Sequence, residues 1–399
     1  MTVPNEGQKK ILNIKKDTNF VAVKPTLLLI GPTPPPYHGV AVATQALLES
    51  DLPARFHVAH LDLADRRGIQ HVDRPDFHDV VLFIRQWVRM VAKLVYHRPD
   101  LVYIPISQST VGFLRDSLFF WPSRLMGSRV VLHLHGGNFR AWYESRGDSM
   151  KAYVRSVLKR TARMVILGDS LKGLFDGLMP SRRIAVVPNG IEWPTSPSPE
   201  RRASRTGPYR VLYVGTLSRQ KGALVLLEAI LSVKKVCHDI EFVLAGPWLT
   251  ESDRRDAEAF MARTGLTEGL YFPGLVEGEA KQELFETSDL FVFPAVQQEG
   301  QPLVVIEAMA AGLPILYTNR GCLRETVVDH EQGLEIEIGD PEDLSRKILW
   351  MADHPEEIKR MGANSRRRYE ELYTASRFIR NMSDVFDHVL QRQEDEKIG

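Results

Sequence analysis

Two glutamates, Glu299 and Glu307, carry the clearest chemical signal in this sequence. They stand in the stretch EGQPLVVIEAMAAG, where the proline and the last glycine predict a helix of about ten residues. Glu299 then lies in the loop before the helix, and Glu307 lies just over one turn inside it. The free N–H groups of Leu303 and Val304 would point at an anion, and Glu307 could accept hydrogen bonds from a diol.

A loop with two cations is the second candidate site. Residues 215–222 read GTLSRQKG, follow a predicted strand and precede a predicted helix. At the start of a helix, the charges of Arg219 and Lys221 would add to the backbone dipole, so the loop could bind a phosphate. Exposed loops often carry cations, and the loop by itself leaves an ordinary surface role open.

The first half of the chain offers two further candidate contacts. Gly39 lies where a proline-rich loop meets a predicted helix, so backbone N–H groups there could approach an anion or a sugar. His135 lies at the tip of a predicted strand before two glycines, a position that suits a ligand contact and a structural role equally well. The sequence contains no P-loop, no nicotinamide fingerprint and no metal-spaced His or Cys cluster, so we expect neither a cofactor nor a metal.

Short apolar runs, separated mostly by helix-length segments, must position these residues. Continuous apolar strands that alternate with helices predict parallel sheets covered on both faces, and ligands of such sheets bind beyond the carboxyl ends of the strands. Each candidate site follows a predicted strand. The predicted strands are 26–31, 101–106, 129–133, 164–167 and 185–187 in the first half, and 210–215, 241–246, 270–272, 290–293 and 314–318 in the second.

A segment rich in Pro, Ser and Arg divides the chain. Residues 193–208 read WPTSPSPERRASRTGP, which is a linker composition. We therefore predict an α/β protein with two Rossmann-like, doubly wound parallel-sheet domains that face each other across a cleft. The first domain would span 1–192 and the second 209–374, and we expect about 375–399 to pack back on the first.

Composition restricts the class of protein. The 399 residues are 44% hydrophobic and 25% charged, which excludes disordered, collagen-like and disulfide-rich chains. There are two cysteines, no apolar leader before Thr26 and no run of about 18 apolar residues, so we expect a cytoplasmic protein without a membrane span.

The net charge of +1 hides a division between the two halves. Residues 1–195 hold 26 basic and 16 acidic residues, a net charge of +10, and residues 196–399 hold 25 and 34, a net charge of −9. A basic first half could meet nucleic acid, an anionic membrane or an acidic substrate, and the two halves could also attract each other.

Four motifs together resemble a known family, the retaining glycosyltransferases of family four, which have the two-domain GT-B fold. The resemblance extends from Thr26 to about Tyr373 and is stronger in the second half. The motifs are Glu299-x7-Glu307 followed by Ala308-Met309-Ala310, the loop from Gly215 to Lys221-Gly222, Val187-Pro188-Asn189-Gly190-Ile191, and Phe272-Pro273-Gly274.

The resemblance implies a role for each matching residue. Glu299 would contact the donor sugar, Glu307 the ribose and Lys221 the diphosphate, while Gly39 and His135 would contact the sugar or the acceptor. Glu299, Lys221 and His135 are thereby the expected catalytic residues. The other expected donor contacts are Thr216, Arg219, Asn189, Gly274, Gly300, Gln301, Leu303 and Val304.

Two positions depart from the family pattern. Thr216 stands where many members have arginine, so either Arg219 supplies the missing charge or the diphosphate is bound less strongly. The pair His38-Gly39 stands where two glycines are frequent.

The implied reaction transfers a sugar from a nucleotide-sugar with retention, without a metal and with the leaving phosphate as base. Departure of a nucleoside diphosphate develops negative charge that Lys221, Arg219 and helix N–H groups could stabilise. We expect a UDP-sugar rather than a GDP-sugar. Two other classes stay open, namely a GT-B sugar-nucleotide epimerase and a non-catalytic nucleotide-sugar-binding protein.

Two segments of the basic half suggest the acceptor. Residues 80–96 and 112–126 interleave Arg and Lys with large apolar residues, as an interfacial membrane surface does, although two buried helices would also explain most of these apolar residues. We predict a peripheral protein on the cytoplasmic face of a bacterial inner membrane. It would extend a lipid-linked saccharide in polysaccharide or lipopolysaccharide assembly, with no nucleic acid partner.

Overall fold

The computed structural model describes residues 24–35, 37–64, 77–194 and 207–398. Within these ranges the chain forms two six-stranded sheets, and neighbouring strands in each are parallel. The prediction of an α/β protein with two parallel sheets is confirmed. Most of the predicted linker, residues 195–206, lies outside the described residues.

The first domain alternates strands and helices. Its strands are β1 Thr26–Gly31, β2 His57–Asp62, β3 Leu101–Ile106, β4 Arg129–Leu134, β5 Arg163–Ile166 and β6 Ile184–Val186, in the sheet order β2-β1-β3-β4-β5-β6. Its helices are α1 Gly39–Leu48, α2 Leu52–Arg55, α3 Phe77–His97, α4 Thr110–Leu125, α5 Phe139–Glu144 and α6 Asp148–Arg160, with 3-10 helices at Asp169–Phe175 and Ser181–Arg183.

The second domain repeats the pattern. Its strands are β7 Tyr209–Val214, β8 Ile240–Ala245, β9 Leu270–Gly274, β10 Leu290–Phe293, β11 Ile315–Thr318 and β12 Gly333–Ile336, in the order β12-β11-β10-β7-β8-β9. The helices after residue 207 are α7 Ala223–Lys234, α8 Glu251–Thr264, α9 Gly278–Glu286, α10 Leu303–Ala310, α11 Leu323–Thr326, α12 Pro341–Asp353, α13 Pro355–Leu372 and α14 Ala375–Ile398.

Two strands, β2 and β12, were absent from the predicted set. Both lie at the edge of their sheets. The β2 sequence HVAHLD breaks its apolar residues up with two histidines and an aspartate, and β12, GLEI, is short and carries a charge. Neither strand therefore contains the continuous apolar run by which the central strands can be recognised.

The strand order of the second sheet reverses between β7 and β10. Strands β8 and β9 follow in order on one side of β7, and β10 lies on the other side of β7. The loops that follow β7 and β10 therefore leave the sheet side by side and in opposite directions. Such a switch point opens a crevice at the carboxyl ends of the strands, where ligands of doubly wound sheets bind.

The chain crosses between the domains twice, at two segments that pair with each other. The N–H of Ile191 donates to the carbonyl of Tyr373 at 3.0 Å, and the N–H of Ala375 donates to the carbonyl of Ile191 at 2.8 Å. After the second crossing, α14 returns to the first domain. Its buried apolar side chains join the cluster under β1, β3 and β4, and they are Phe378, Met382, Val385, Phe386 and Val389.

Helices α3 and α4 each present apolar side chains both to the core and to solvent. Met90, Leu94 and Phe113 are among the buried ones. Burial in the core thus explains the apolar side chains on only one face of each helix. The exposed apolar side chains, between 43% and 74% accessible, include Ile84, Val88 and Val95 on α3 and Val111, Leu114 and Leu118 on α4. No described helix is long and apolar enough to cross a membrane.

We expect Phe386→Ala to destabilise the protein by about 3–5 kcal/mol, because it removes a buried ring and leaves a cavity. Phe386 is fully buried, and its ring lies edge-on to Phe56 and Tyr103 at centroid distances of 6.2 and 6.1 Å. The measurement is the free energy of unfolding in guanidinium. Asp384→Ala, at an exposed position of the same helix, is the control. A loss of less than about 1 kcal/mol would show that α14 is not an integral part of the first domain.

Candidate active site

The loops after β7 and β10 are joined by an ion pair between Lys221 and Glu299. The Lys221 ammonium lies 2.6 and 2.8 Å from the two carboxylate oxygens, and Gln297 donates to the same carboxylate at 3.0 Å. Only 26% of the Lys221 side chain and 9% of the Glu299 side chain are exposed. The ammonium also lies 5.7 Å from the centre of the Phe293 ring. Because this pair is shielded from water, its charges interact strongly.

The two loops can approach each other because residue 222 is glycine. Gly222 has a positive φ of 82°, and a Cβ atom there would lie 2.0 Å from the carbonyl oxygen of Pro294. The hydroxyl of Ser218 accepts a hydrogen bond from the N–H of Lys221 at 3.1 Å. Helix α7 then begins at Ala223. The loop is thus folded tightly enough to direct Lys221 toward Glu299.

Arg219 does not join this pair. Its guanidinium donates to Asp256 on α8 at 2.9 Å, its side chain is 63% exposed, and its N–H donates to Asp253 at 3.0 Å. Thr216 is half-buried and accepts a hydrogen bond from the Tyr213 hydroxyl through its carbonyl at 2.9 Å. In this conformation Arg219 therefore does not supply the charge that is missing at Thr216.

Glu307 lies inside α10, where it meets a lysine that the sequence analysis did not identify. The Nζ of Lys281, on α9, donates to one carboxylate oxygen of Glu307 at 2.7 Å. The other oxygen is buried and has no hydrogen-bond partner among the described residues. No motif surrounds Lys281, so only its contact with Glu307 in the folded structure reveals its role. One oxygen of Glu307 is thus held by a cation, and the hydrogen-bonding capacity of the other is unused among the described residues.

Glycines bring the Glu299 loop into contact with the first domain. A Cβ atom at Gly300 would lie 2.0 Å from the carbonyl oxygen of His135, and one at Gly137 would lie 2.1 Å from the carbonyl oxygen of Glu299. On the other side of the loop, a Cβ atom at Gly321 would lie 1.7 Å from that same oxygen. The backbone of Glu299 is therefore enclosed between the two domains.

A second contact across the cleft joins Asn189 to Gln301. The N–H of Asn189 donates to the side-chain oxygen of Gln301 at 2.7 Å, and the Asn189 amide donates to the Gln301 carbonyl at 3.0 Å. Both residues are buried, and the Oδ1 atom of Asn189 has no partner within the part of the chain that is described. These two predicted donor contacts thus bind each other and hold the loop.

His135 places a neutral imidazole at the cleft. Both ring nitrogens are buried and without a hydrogen-bond partner among the residues described, although the residue as a whole is partly exposed. Its ring lies 3.9 Å from that of His133, whose Nδ1 forms a 2.8 Å hydrogen bond with the Tyr103 hydroxyl. Burial, with a smaller effect of His38, lowers the pKa of His135 to about 3. The ring is therefore uncharged at neutral pH and can hydrogen-bond to an uncharged group such as a sugar hydroxyl.

The remaining predicted contacts lie at the ends of helices and strands. Gly39 is the first residue of α1, and the Nδ1 atom of His38 caps that helix by accepting from the N–H of Ala41 at 3.3 Å. Gly274 ends β9, where its carbonyl accepts from the N–H of Gly246 at 2.7 Å. Leu303 and Val304 form the first turn of α10. In the described ranges, no group of three His, Cys, Asp or Glu side chains could hold a metal ion.

Most of the second half of the chain matches a known protein family. Residues 196–368 match the family "Glycosyl transferases group 1". The chain carries a group 1 glycosyl transferase domain. Lys221, Glu299 and Glu307 all lie in the group 1 domain, whereas His135 is supplied from outside it.

The chain is also similar to proteins and solved structures that carry several different names. Spore coat protein SA of Bacillus subtilis is 27% identical over 359 residues, which cover 83% of this chain and 89% of that protein. A phosphatidyl-myo-inositol mannosyltransferase of Mycobacterium leprae is 28% identical over 201 residues, 49% of this chain and 52% of that protein. The solved structure of Anabaena HepE in complex with UDP and glucose has a TM-score of 0.69 at 17% identity, over 91% of this chain and 99% of that chain. The predicted GT-B fold is confirmed.

The neutral His135 makes stability depend on pH. In the unfolded chain a histidine binds a proton below about pH 6.5, whereas folded His135 stays neutral down to about pH 3. The folded state is therefore destabilised as the pH falls. We expect His135→Asn to lose less stability than the wild type between pH 7 and pH 5, by up to about 2 kcal/mol. The measurement is urea denaturation at both values, and an equal loss in both proteins would show that folding leaves the pKa of His135 unchanged.

Proposed function

We propose that this protein transfers a sugar from a nucleoside diphosphate sugar to a saccharide acceptor, with retention of configuration and without a metal. The observation that carries the proposal is the largely buried pair of Lys221 and Glu299, at the switch point of the group 1 domain and against the backbone of His135. The three groups lie around one cleft. The ammonium can bind a diphosphate, the carboxylate can bind the sugar, and the neutral imidazole can hydrogen-bond to the sugar hydroxyls.

The group 1 domain has features that match the phosphates and the ribose of the donor. The ammonium of Lys221 has three protons and can share them between Glu299 and a phosphate, and the N-terminus of α10 adds a positive dipole end. The free oxygen of Glu307 suits the ribose diol, because a carboxylate can accept from two hydroxyls. The complex of HepE with UDP and glucose supports a UDP-sugar as donor.

The ion pair also favours one reaction course. Both oxygens of Glu299 are engaged by Lys221, which makes this carboxylate a poor nucleophile. We therefore infer that the acceptor hydroxyl attacks from the face that the diphosphate leaves. The bond from the anomeric carbon to the phosphate oxygen breaks, the acceptor oxygen bonds to that carbon, and its proton passes to the departing phosphate. Lys221 and the N-terminus of α10 would stabilise the charge on the diphosphate.

The two glutamates provide the test of this assignment. We expect Glu307→Gln to weaken UDP binding by about tenfold or more, because it replaces a charged hydrogen-bond acceptor. Glu299→Gln should leave UDP binding unchanged and lower turnover by about 100-fold, because Glu299 contacts the sugar and orients Lys221. The measurements are calorimetry with UDP and the rate of transfer from the UDP-sugar.

A thermal-shift screen with UDP-, GDP- and ADP-sugars selects the donor for these measurements, since a ligand of the folded state raises the melting temperature. Glu283→Gln, exposed on α9, is the control and should change neither property. Equal losses of UDP affinity in the Glu299 and Glu307 variants would contradict the separate sugar and ribose roles. No sugar transfer to any acceptor by the wild type would contradict the proposed function.

We further propose that the acceptor is linked to a lipid and that the first domain binds an anionic membrane at the cytoplasmic face, in polysaccharide or lipopolysaccharide assembly. The exposed apolar residues of α3 and α4 support this, because Trp87 of α3 donates to the carbonyl of Leu118 on α4 at 3.1 Å and joins the two helices into one surface. Arg85, Arg89 and Lys93 form a row beside the apolar stripe of α3, at spacings of four residues.

The charge of this surface is complementary to an anionic bilayer. Among the α3 and α4 side chains that are described, the one acidic group is that of Asp116, which is 1% exposed and paired with Arg115. A surface that combines apolar anchors with cations is typical of interfacial binding. The mannosyltransferase of M. leprae is named for a lipid acceptor, which agrees with this assignment.

We expect the protein to sediment with vesicles that contain anionic lipid, less so at high salt. Val88→Asp should reduce this binding by about tenfold, because it removes an apolar contact and adds a repelled charge. Val236→Asp, at a valine of the second domain that is also exposed (72% against 55% for Val88), is the control and should bind like the wild type. Equal sedimentation with neutral and anionic vesicles, or equal losses in both variants, would point to an acceptor that is free in solution.

A further inference from the structure

Glu325 of the second domain reaches into the first domain. Its carboxylate, carried by α11, accepts hydrogen bonds from the N–H groups of Asp169 at 2.9 Å and Ser170 at 3.2 Å, and from the Ser170 hydroxyl at 2.6 Å. Asp169 and Ser170 are the first two residues of the 3-10 helix of the first domain. A side chain of one domain thus caps a helix of the other, and it satisfies N–H groups that have no partner within that helix.

This contact requires a glycine at residue 168. A Cβ atom there would lie 1.8 Å from the Glu325 carboxylate and 2.7 Å from the sulfur of Cys322. The backbone of Gly168 is extended, with a φ of −167°, so glycine is not needed for the conformation. It is needed for space, because any side chain would separate the two domains at this point.

The helix that carries Glu325 is fixed within its own domain. Arg368 of α13 donates to the carbonyl oxygens of Thr326 at 2.9 Å and Glu325 at 2.7 Å. These two carbonyls lie at the end of a helix of a single turn. The backbone that carries the Glu325 side chain is therefore tied to α13 of its own domain.

The same segment is hydrogen-bonded to the loop that contains Glu299. The N–H of Cys322 donates to the carbonyl of Gly300 at 3.1 Å, and the amide of Gln301 donates to the Thr326 hydroxyl at 3.1 Å. The Glu299 loop and α11 thus form one unit. A movement of α11 away from Ser170 would therefore also draw Gly300 away from the carbonyl of His135.

We propose that Glu325 and Ser170 form a latch between the domains, and that Glu325 is a positioning residue that keeps Glu299 opposite His135 during sugar transfer. The role in transfer rests on the proposed function. The latch itself does not, because it determines how compact the molecule is whether or not a sugar is transferred.

The first experiment compares Glu325→Ala with Arg324→Ala. Arg324 neighbours Glu325 on α11, but its guanidinium is 68% exposed and pairs with Glu335 inside the second domain. With saturating UDP, Glu325→Ala should show a larger radius of gyration by X-ray scattering than the wild type, and Arg324→Ala should not. Turnover of Glu325→Ala should fall by about 100-fold, as expected when a catalytic group is displaced, while its affinity for UDP stays within about twofold.

The second experiment replaces the latch by a covalent bond. The Ser170 hydroxyl lies 3.7 Å from the sulfur of Cys322, so Ser170→Cys should form a disulfide with the native cysteine on oxidation. In the double variant Ser170→Cys/Glu325→Ala, oxidation should restore the compactness of the wild type, and a reductant should reverse it. Melting curves of each variant establish that it is folded.

Three results would overturn the latch. One is a Glu325→Ala variant as compact as the wild type, another is a Glu325→Ala variant as active as the wild type, and the third is a disulfide that forms without restoring compactness. If the wild type transfers no sugar, the proposed function fails, but the scattering and disulfide results still decide the latch.

Discussion

The ion pair between Lys221 and Glu299 is the interaction on which the rest of the site depends. Its two residues come from loops that follow β7 and β10, strands that are neighbours only because the sheet order reverses between them. Gly222 must then be a glycine for the loops to touch. In an unshielded loop, a lysine and a glutamate would gain little from pairing. Here the Phe293 ring and the first domain exclude water, so the pair is strong and fixes both groups before a ligand binds.

The two domains contribute different chemistry to one cleft. The second domain supplies charge, through Lys221 and the carboxylates of Glu299 and Glu307. The first domain supplies a histidine whose proton affinity is lowered by burial, and so a neutral surface. A phosphate and an uncharged sugar need these two environments at adjacent positions, and a cleft between two sheets can provide them without bringing like charges together.

Backbone contacts, rather than side-chain packing, hold the cleft together around the Glu299 loop. Gly137, Gly300 and Gly321 leave no room for a Cβ atom at three separate contacts. The crossing segments at Ile191 and Tyr373 pair nearby, and α14 completes the core of the first domain. The chain therefore cannot be divided into two halves of sequence that correspond to two domains, because the last helix belongs to the first domain. The charge difference between the sequence halves nevertheless remains a difference between the domains, because residues 375–399 carry a net charge of only −1.

The sequence by itself determined the fold class and the local position of the main functional residues. Buried parallel strands need continuous apolar runs, and helix ends need Pro and Gly, so the central strands, α10 and the positions of Glu299, Lys221 and His135 relative to their elements could be predicted. These are local properties, and the motifs carry them. The edge strands β2 and β12 escaped prediction because polar or charged residues interrupt their short apolar pattern.

Only the tertiary structure decided which side chains meet. Lys281 and Glu325 belong to no motif, and their partners, Glu307 and Ser170, are distant in sequence. Arg219 is next to the site in sequence, yet it turns to Asp256, because the direction of a side chain depends on the nearest opposite charge in space. Which apolar side chains of α3 and α4 are exposed also depends on which face of each helix packs against the core. Pair contacts and exposure are properties of the packed domains, and a sequence pattern that fits two packings equally well does not choose between them.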